Sequence, residues 1–228
     1  VVTVHLWTVP AARVPVLLAR TIRWRLGRPG ASFVKLLGTT RTGRFDLRGT
    51  DLRRWMLLAC WPDEGSAARF ERGPLVRRWR AAAVEGWRAS LVPLSAHGRW
   101  AGRTPFTPAA PSTPAAPAPP GGPVLVLTRA RLRWRYAARF WRAMSRVRAD
   151  GRSEWRLGFG VGEAPVGWQG TVSLWDSAAA LEAFAYQEPS HLAAMRAARG
   201  EGWYAEELFA RFAIRDAAGT VDGRDPMT

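Results

Sequence analysis

The chain has 228 residues, 47% of them hydrophobic, enough for one large domain or two small ones with a substantial core. No run approaches the roughly 18 consecutive apolar residues of a membrane span, and the single cysteine, Cys60, excludes an internal disulfide and any cysteine-built zinc or iron–sulfur cluster. A lone cysteine also points to a reducing, cytoplasmic setting. The net charge of +16 comes from 34 basic residues, of which only Lys35 is a lysine. Such a surface attracts nucleic acid, anionic lipid or an acidic partner, and an arginine- and alanine-rich composition produces the same balance without any function.

The chain opens on VVTVHLW, which reads as a strand over 1–9 and not as a leader peptide. The spacing then predicts a helix over 13–26, a strand running into a Gly-rich loop over 32–38, and a central strand over 54–61. Helical segments over 63–86 and a last strand over 87–94 complete this part. Gly102–Pro123 holds eight of the 17 prolines. Proline lacks the backbone donor and clashes with the preceding turn, so this stretch reads as an extended linker. The organisation is therefore a first half over 1–103, a linker over 104–123 and a second half over 124–228. The second half repeats the order: strand 124–133, helix 135–148 with Tyr136, Phe140, Met144 and Val147 on one face, strand 155–162, central strand 168–175, helical segments 177–200 and strand 203–214.

The halves also match in residues. RWRAAAVEGW (78–87) and AMRAARGEGW (194–203) agree at six of ten positions, and RWMLLACWPD (54–63) parallels WQGTVSLWDS (168–177), aligning Trp61 with Trp175. This is an internal duplication. The order β-α-β-β-α-β is the ferredoxin-like unit. The expected fold is thus α+β, with tandem ferredoxin-like repeats packed within one chain as the α/β-barrel that a dimer of single units otherwise forms.

His5 lies in the first strand and His97 in a loop, and neither has a clustered partner in the sequence. His191 differs. In QEPSHLAAMRAARG, Pro189 breaks one helix, Ser190 suits an N-cap and His191 opens the next helix, with Met195 one turn later on the same face. Its partner in the first half is Leu75, so an imidazole stands in one repeat where an apolar residue stands in the other. That pattern suits an axial haem ligand, and it also suits a helix-start histidine bonded to a neighbour. The central strands differ in the same way. Gln169, Thr171, Ser173 and Trp175 share one face, opposite Gly170, where the first half has Trp55, Leu57, Ala59, Trp61 and, for the glycine, Met56. Periodicity does not say which face meets a ligand. The Gly-rich stretches 37–45 and 157–167 lack the spacing of a phosphate loop and read as hairpin or bulge glycines. The Arg–Trp stretches 20–28 and 129–142 fit a solvated helix face, a membrane-surface helix or a nucleic-acid surface; no nucleic-acid-binding signature supports the last. No arrangement of a hydrolase stands out.

These residues resemble the spheroidene monooxygenase family of haem-linked carotenoid ketolases. The likeness runs through KLLGT (35–39), RRWMLLACW (53–61), GRWAGRTPF (98–106), LTRARLR (127–133) with FWR (140–142), GFGVGEAPVGWQGTVSLW (158–175), FAY before SH (184–191), and EGWYAEELFARF (201–212). The resemblance implies haem iron as cofactor and oxidation of a lipophilic, acyclic polyene by O2, which introduces a hydroxyl or keto group. Electrons would come from a ferredoxin-like donor. The same likeness makes His191 the metal ligand, with Met195, Arg196 and Gly170 beside the cofactor. Gln169 or Ser173 would donate to bound oxygen, and Arg196 or Arg199 would pair with a propionate. FAY…SH…M is also similar to the proximal histidine helix of haem aldoxime dehydratases, so such a dehydratase is one rival reading. A barrel that binds a lipophilic ligand without catalysis is another. Peripheral membrane contact, self-association and no nucleic-acid partner complete the expectations.

Overall fold

A computed structural model describes residues 1–27, 30–45, 47–108, 121–140, 155–163, 168–187 and 201–228. Among the described residues eight strands are present: β1 (Val2–Thr8), β2 (Phe33–Thr40), β3 (Thr50–Cys60), β4 (Glu85–Gly98), β5 (Val124–Leu132), β6 (Trp155–Glu163), β7 (Trp168–Trp175) and β8 (Tyr204–Gly219). They close into one antiparallel barrel in the order β1-β3-β2-β6-β7-β5-β8-β4. The barrel closes within one chain, and each repeat supplies four neighbouring strands. The helices α1 (Val14–Leu26), α2 (Glu64–Glu71), α3 (Pro74–Ala82) and α4 (Ala178–Gln187) lie outside it. The tandem ferredoxin-like barrel expected from the repeat is the fold.

Alternation along each strand sorts side chains to two sides. Val2, Val4, Leu6, Met56, Leu58, Cys60, Leu125, Leu127, Val172 and Leu174 fill the interior with Phe33, Trp87 and Phe212. Burial there pushes the Cys60 thiol up to about 12, so it stays protonated. Trp100 and Phe106 follow β4 and also enter the interior, with the Phe106 ring 4.9 Å from Phe212 and 6.4 Å from Phe33. Phe106 is thus a packed residue within the stretch expected to be a linker; 109–120 lie outside the described residues. β6 absorbs Gly158, Gly160 and Gly162, which the sequence assigns to a Gly-rich loop. A Cβ at Gly158 or Gly160 would press on Trp155, Phe45 or Thr40, so close packing from the β2–β3 connection explains these glycines.

The only lysine also points inward. Lys35 Nζ lies 2.7 Å from Glu163 Oε2, and Arg129, 2% exposed, pairs with Glu163 (3.1 Å) and with Glu206. Trp100 Nε1 donates to Glu163 (2.8 Å), and the backbone N–H groups of Ala101 and Gly102 donate to Glu206. Lys35 of the first repeat and Arg129 of the second thus meet two carboxylates of the second repeat, which N–H groups of the segment after β4 also bond. Breaking a buried pair strands a charge in low dielectric. Arg129→Met is therefore expected to cost about 3–5 kcal/mol in urea unfolding. Arg215→Met, which breaks an exposed pair with Glu64, should cost less than about 1 kcal/mol.

Candidate functional site

The duplication lets the outer faces of the two repeats be compared position by position. In the first repeat β1 and β3 set Trp7 across from Trp55, His5 across from Leu57 and Thr3 across from Ala59. In the second, β5 and β7 set Ala130 across from Gln169, Thr128 across from Thr171 and Val126 across from Ser173. Two indoles and an imidazole are replaced by small or uncharged polar side chains.

The first repeat's face is filled. Trp79 of α3 stacks on Trp7 at 5.1 Å and Trp7 stacks on His5 at 5.0 Å, while Phe70, Trp61 and Trp24 form the rest of the aromatic layer. Leu75, at the start of α3, is buried in that layer. Proline at the first helical position starts α3 after Gly73, whose extended backbone ends α2.

On the second repeat's face Val126, Ala130 and Ser173 are buried, and one position between them is exposed. Thr128 is exposed, whereas its counterpart His5 is 2% exposed; Thr171 and Gln169 are half-buried. An aromatic wall stands at one side: Trp155, Trp175 and Phe184 of α4 lie 5.0–5.8 Å apart, centroid to centroid. Phe140, 6.3 Å from Tyr204 and 6.5 Å from Trp203, stands elsewhere on this half. Burial raises the Tyr204 hydroxyl to about 12, so it remains a neutral hydrogen-bond donor.

The candidate residues fall on different sides. Gln169 and Ser173 share the outer face, and the Gln169 Nε2 is buried with no hydrogen-bond partner among the described residues. Ser173 Oγ accepts from Trp175 Nε1 at 2.9 Å, which leaves its own proton to donate. Gly170 pairs with Arg129 and alternates with Val172 and Leu174, so it faces the barrel interior, away from Gln169 and Ser173. A Cβ there would collide with the Thr128 carbonyl oxygen, and strand pairing alone accounts for the glycine. His191, Met195, Arg196 and Arg199 lie outside the described residues. His97 is exposed at the end of β4.

One histidine has a partner that sequence separation hid. His5 Nε2 lies 2.6 Å from Glu71 Oε2, 66 residues away, and Arg80 also pairs with Glu71. The pair lies on a cleft of about 580 Å³ bordered by Arg80, Arg88, Val84 and Gly86. The hydrogen bond from His5, then the charges of His5 and Arg80, hold the Glu71 carboxyl at about 2 against an ordinary 4.5, in spite of its partial burial. A depressed folded pKa adds stability that is complete above the unfolded value and is lost as pH falls from about 4.5 toward about 2. Glu71→Gln is expected to be less stable at neutral pH and to lose less on acidification through that window, as read by urea midpoints at each pH. An unchanged slope would mean that the pair does not couple to folding.

No protein-family model matches the chain. It is 37% identical over 202 residues to a spheroidene monooxygenase of Rhodobacter capsulatus, covering 87% of this chain and 82% of that protein. The chain belongs to the spheroidene monooxygenase family. A spheroidene monooxygenase of Rubrivivax gelatinosus is 38% identical over 202 residues, 87% of this chain and 75% of its own length. Membership of the spheroidene monooxygenase family places the chain among oxidoreductases of the monooxygenase class, as the resemblance in the sequence implies. Among solved structures, an aldoxime dehydratase in complex with butyraldoxime has a TM-score of 0.58 at 12% identity, over 94% of this chain and 79% of that one. That likeness concerns the fold.

Proposed function

We propose that the second repeat holds a haem between the outer face of its sheet and the helix opened by His191, and that the enzyme uses O2 to oxidise a carbon of an acyclic carotenoid. The observation that carries this reading is the loss of Trp7, Trp55 and His5 at the equivalent positions Ala130, Gln169 and Thr128, which puts smaller side chains where the first repeat has packed rings. The residues fit a planar macrocycle. The floor is small, one side is aromatic, and the buried Gln169 Nε2 lacks the partner that a buried donor requires. The repeat aligns His191 with Leu75, whose side chain faces the sheet in the first half, and Met195 with Trp79.

His191 would hold the iron from the helix side, Met195 would cover the ring, and Arg196 would pair with a propionate. When bound, haem iron supplies oxygen activation and oxidation of a carbon–hydrogen bond, chemistry that no side chain here provides. The chain's own residues bind and orient. Gln169 Nε2 and the Ser173 hydroxyl would present hydrogen-bond donors from the sheet side, and the apolar wall of Trp155, Trp175 and Phe184 would exclude water from a polyene. Electrons come from a ferredoxin-like donor, to which a strongly basic surface is complementary. The setting is the cytoplasmic surface of a membrane, where such a polyene resides. Among the described residues no helix is long and apolar enough to cross a membrane.

The test is expression in cells that accumulate acyclic carotenoids, followed by mass analysis of the pigments. The expected product has a methylene oxidised to an alcohol or a ketone, and Gln169→Leu lowers its yield about 10²-fold, as removal of one such donor does. Pigment that co-purifies unchanged with haem-free protein would instead identify a binding protein. Haem-dependent conversion of an aldoxime to a nitrile, with pigments untouched, would identify a dehydratase.

A further inference from the structure

We propose that the outward face of α1 docks on an anionic lipid surface. The helix has two distinct sides. Val14, Leu17 and Thr21 are buried against the first repeat, where Trp79 Nε1 donates to Thr21 Oγ1 at 2.9 Å. On the other side Ile22 (51% exposed), Leu26 (79%) and Val16 (54%) lie in water with Pro15 and Ala19. Three large aliphatic side chains on this one helix are more than half exposed, although burying each is worth roughly 1.5–3 kcal/mol.

Charge decides what covers them. Arg13, Arg20, Arg23 and Arg25 are all exposed, and α1 and the segment before it contain no acidic residue. None of these four makes an ion pair among the described residues, which is also true of other exposed arginines such as Arg99 and Arg103, but these four stand together on one short segment. An arginine-rich composition explains the number of arginines; it does not explain four of them set beside exposed aliphatic side chains on a segment with no acidic residue. An apolar stripe bounded by uncompensated arginines is the chemistry of a helix lying in a lipid interface, with the side chains among the acyl boundary and the guanidinium groups on anionic headgroups. The assignment rests on the proposed lipophilic substrate only for its purpose, since the membrane would be the source of the polyene; the docking itself requires no catalysis.

Co-sedimentation of the purified full chain with vesicles tests it. Vesicles rich in phosphatidylglycerol are expected to bind about 100-fold or more tightly than phosphatidylcholine vesicles at low salt. Arg20→Glu with Arg23→Glu should remove most of that preference, and Ile22→Ser with Leu26→Ser should weaken binding about 10-fold at unchanged charge. Arg99→Glu with Arg103→Glu, the same charge change on the exposed β4–β5 connection, should bind within about threefold of wild type. Equal loss in that control would show general charge attraction and overturn the proposal, as would equal binding to both vesicle types. Normal vesicle binding by the α1 variants, with loss of binding to an acidic ferredoxin, would reassign the face to a protein partner. Haem absorbance, read on the same samples, keeps the two proposals separate: docking without haem sinks only the haem reading, and haem without docking sinks only this one.

Discussion

His191→Ala is expected to give a folded barrel that takes up no haem. The wild type, reconstituted with haem, should show a strong Soret band; the variant should bind more than about 100-fold more weakly, beyond the 10–100-fold cost of losing a residue that only supports a ligand. Carotenoid oxidation should vanish with the band. Stability separates this outcome from simple misfolding. His191 is proposed to serve the cofactor and not the core, so His191→Ala should shift unfolding by no more than about 1 kcal/mol. The repeat-related Leu75→Ala should behave in the opposite way. Leu75 is 4% exposed inside the aromatic layer, and its truncation should cost about 2–5 kcal/mol with no effect on haem beyond that loss of stability. Haem uptake retained in His191→Ala would remove that residue from the site.

Thr128→Trp is expected to block the site without harming the fold. Thr128 is exposed on the second repeat's outer face, with Thr171 and Phe209 across from it on the flanking strands, and aromatic residues are favoured in strands. Overpacking, which costs about 1–3 kcal/mol in a filled core, does not arise. The ring would lie across the floor formed by Thr171, Ala130 and Gln169, much as Trp7 and His5 cover that of the first repeat. Haem uptake should be abolished while the urea midpoint of the haem-free protein stays within about 1 kcal/mol of wild type. Unchanged haem uptake would place the cofactor somewhere other than this face. His5→Thr, the reciprocal change, should destabilise the first repeat, because it removes the stack on Trp7 and the hydrogen bond to Glu71.

Local pattern made most of the fold legible. The helix expected over 13–26 is α1 at Val14–Leu26, and the strand expected over 168–175 is β7 at Trp168–Trp175, because both carry uninterrupted periodicity. Strand ends were less so. β3 begins at Thr50, before the expected 54, and β8 runs to Gly219, past 214, because pairing with neighbouring strands extends them through polar residues. The glycines of β6 looked like a loop because glycine is a weak strand former; packing from Thr40 and Phe45 is a tertiary cause that the residues themselves do not announce.

Of the candidate site, the asymmetry between repeats was visible and its orientation was not. Alternation placed Gln169 and Ser173 together but could not say that they lie outside the barrel; that follows from Val172 and Leu174 lying inside it. The His5–Glu71 pair and the inward Lys35 were invisible for the same reason. Their partners lie 66 and 128 residues away and meet only once the barrel closes.

The central claim is that one repeat of two has opened to hold one macrocycle. Haem titration of the purified chain, followed at the Soret band, tests it most directly. Saturation is expected at one equivalent per chain. Saturation at two equivalents, or no Soret band at any ratio, would contradict it.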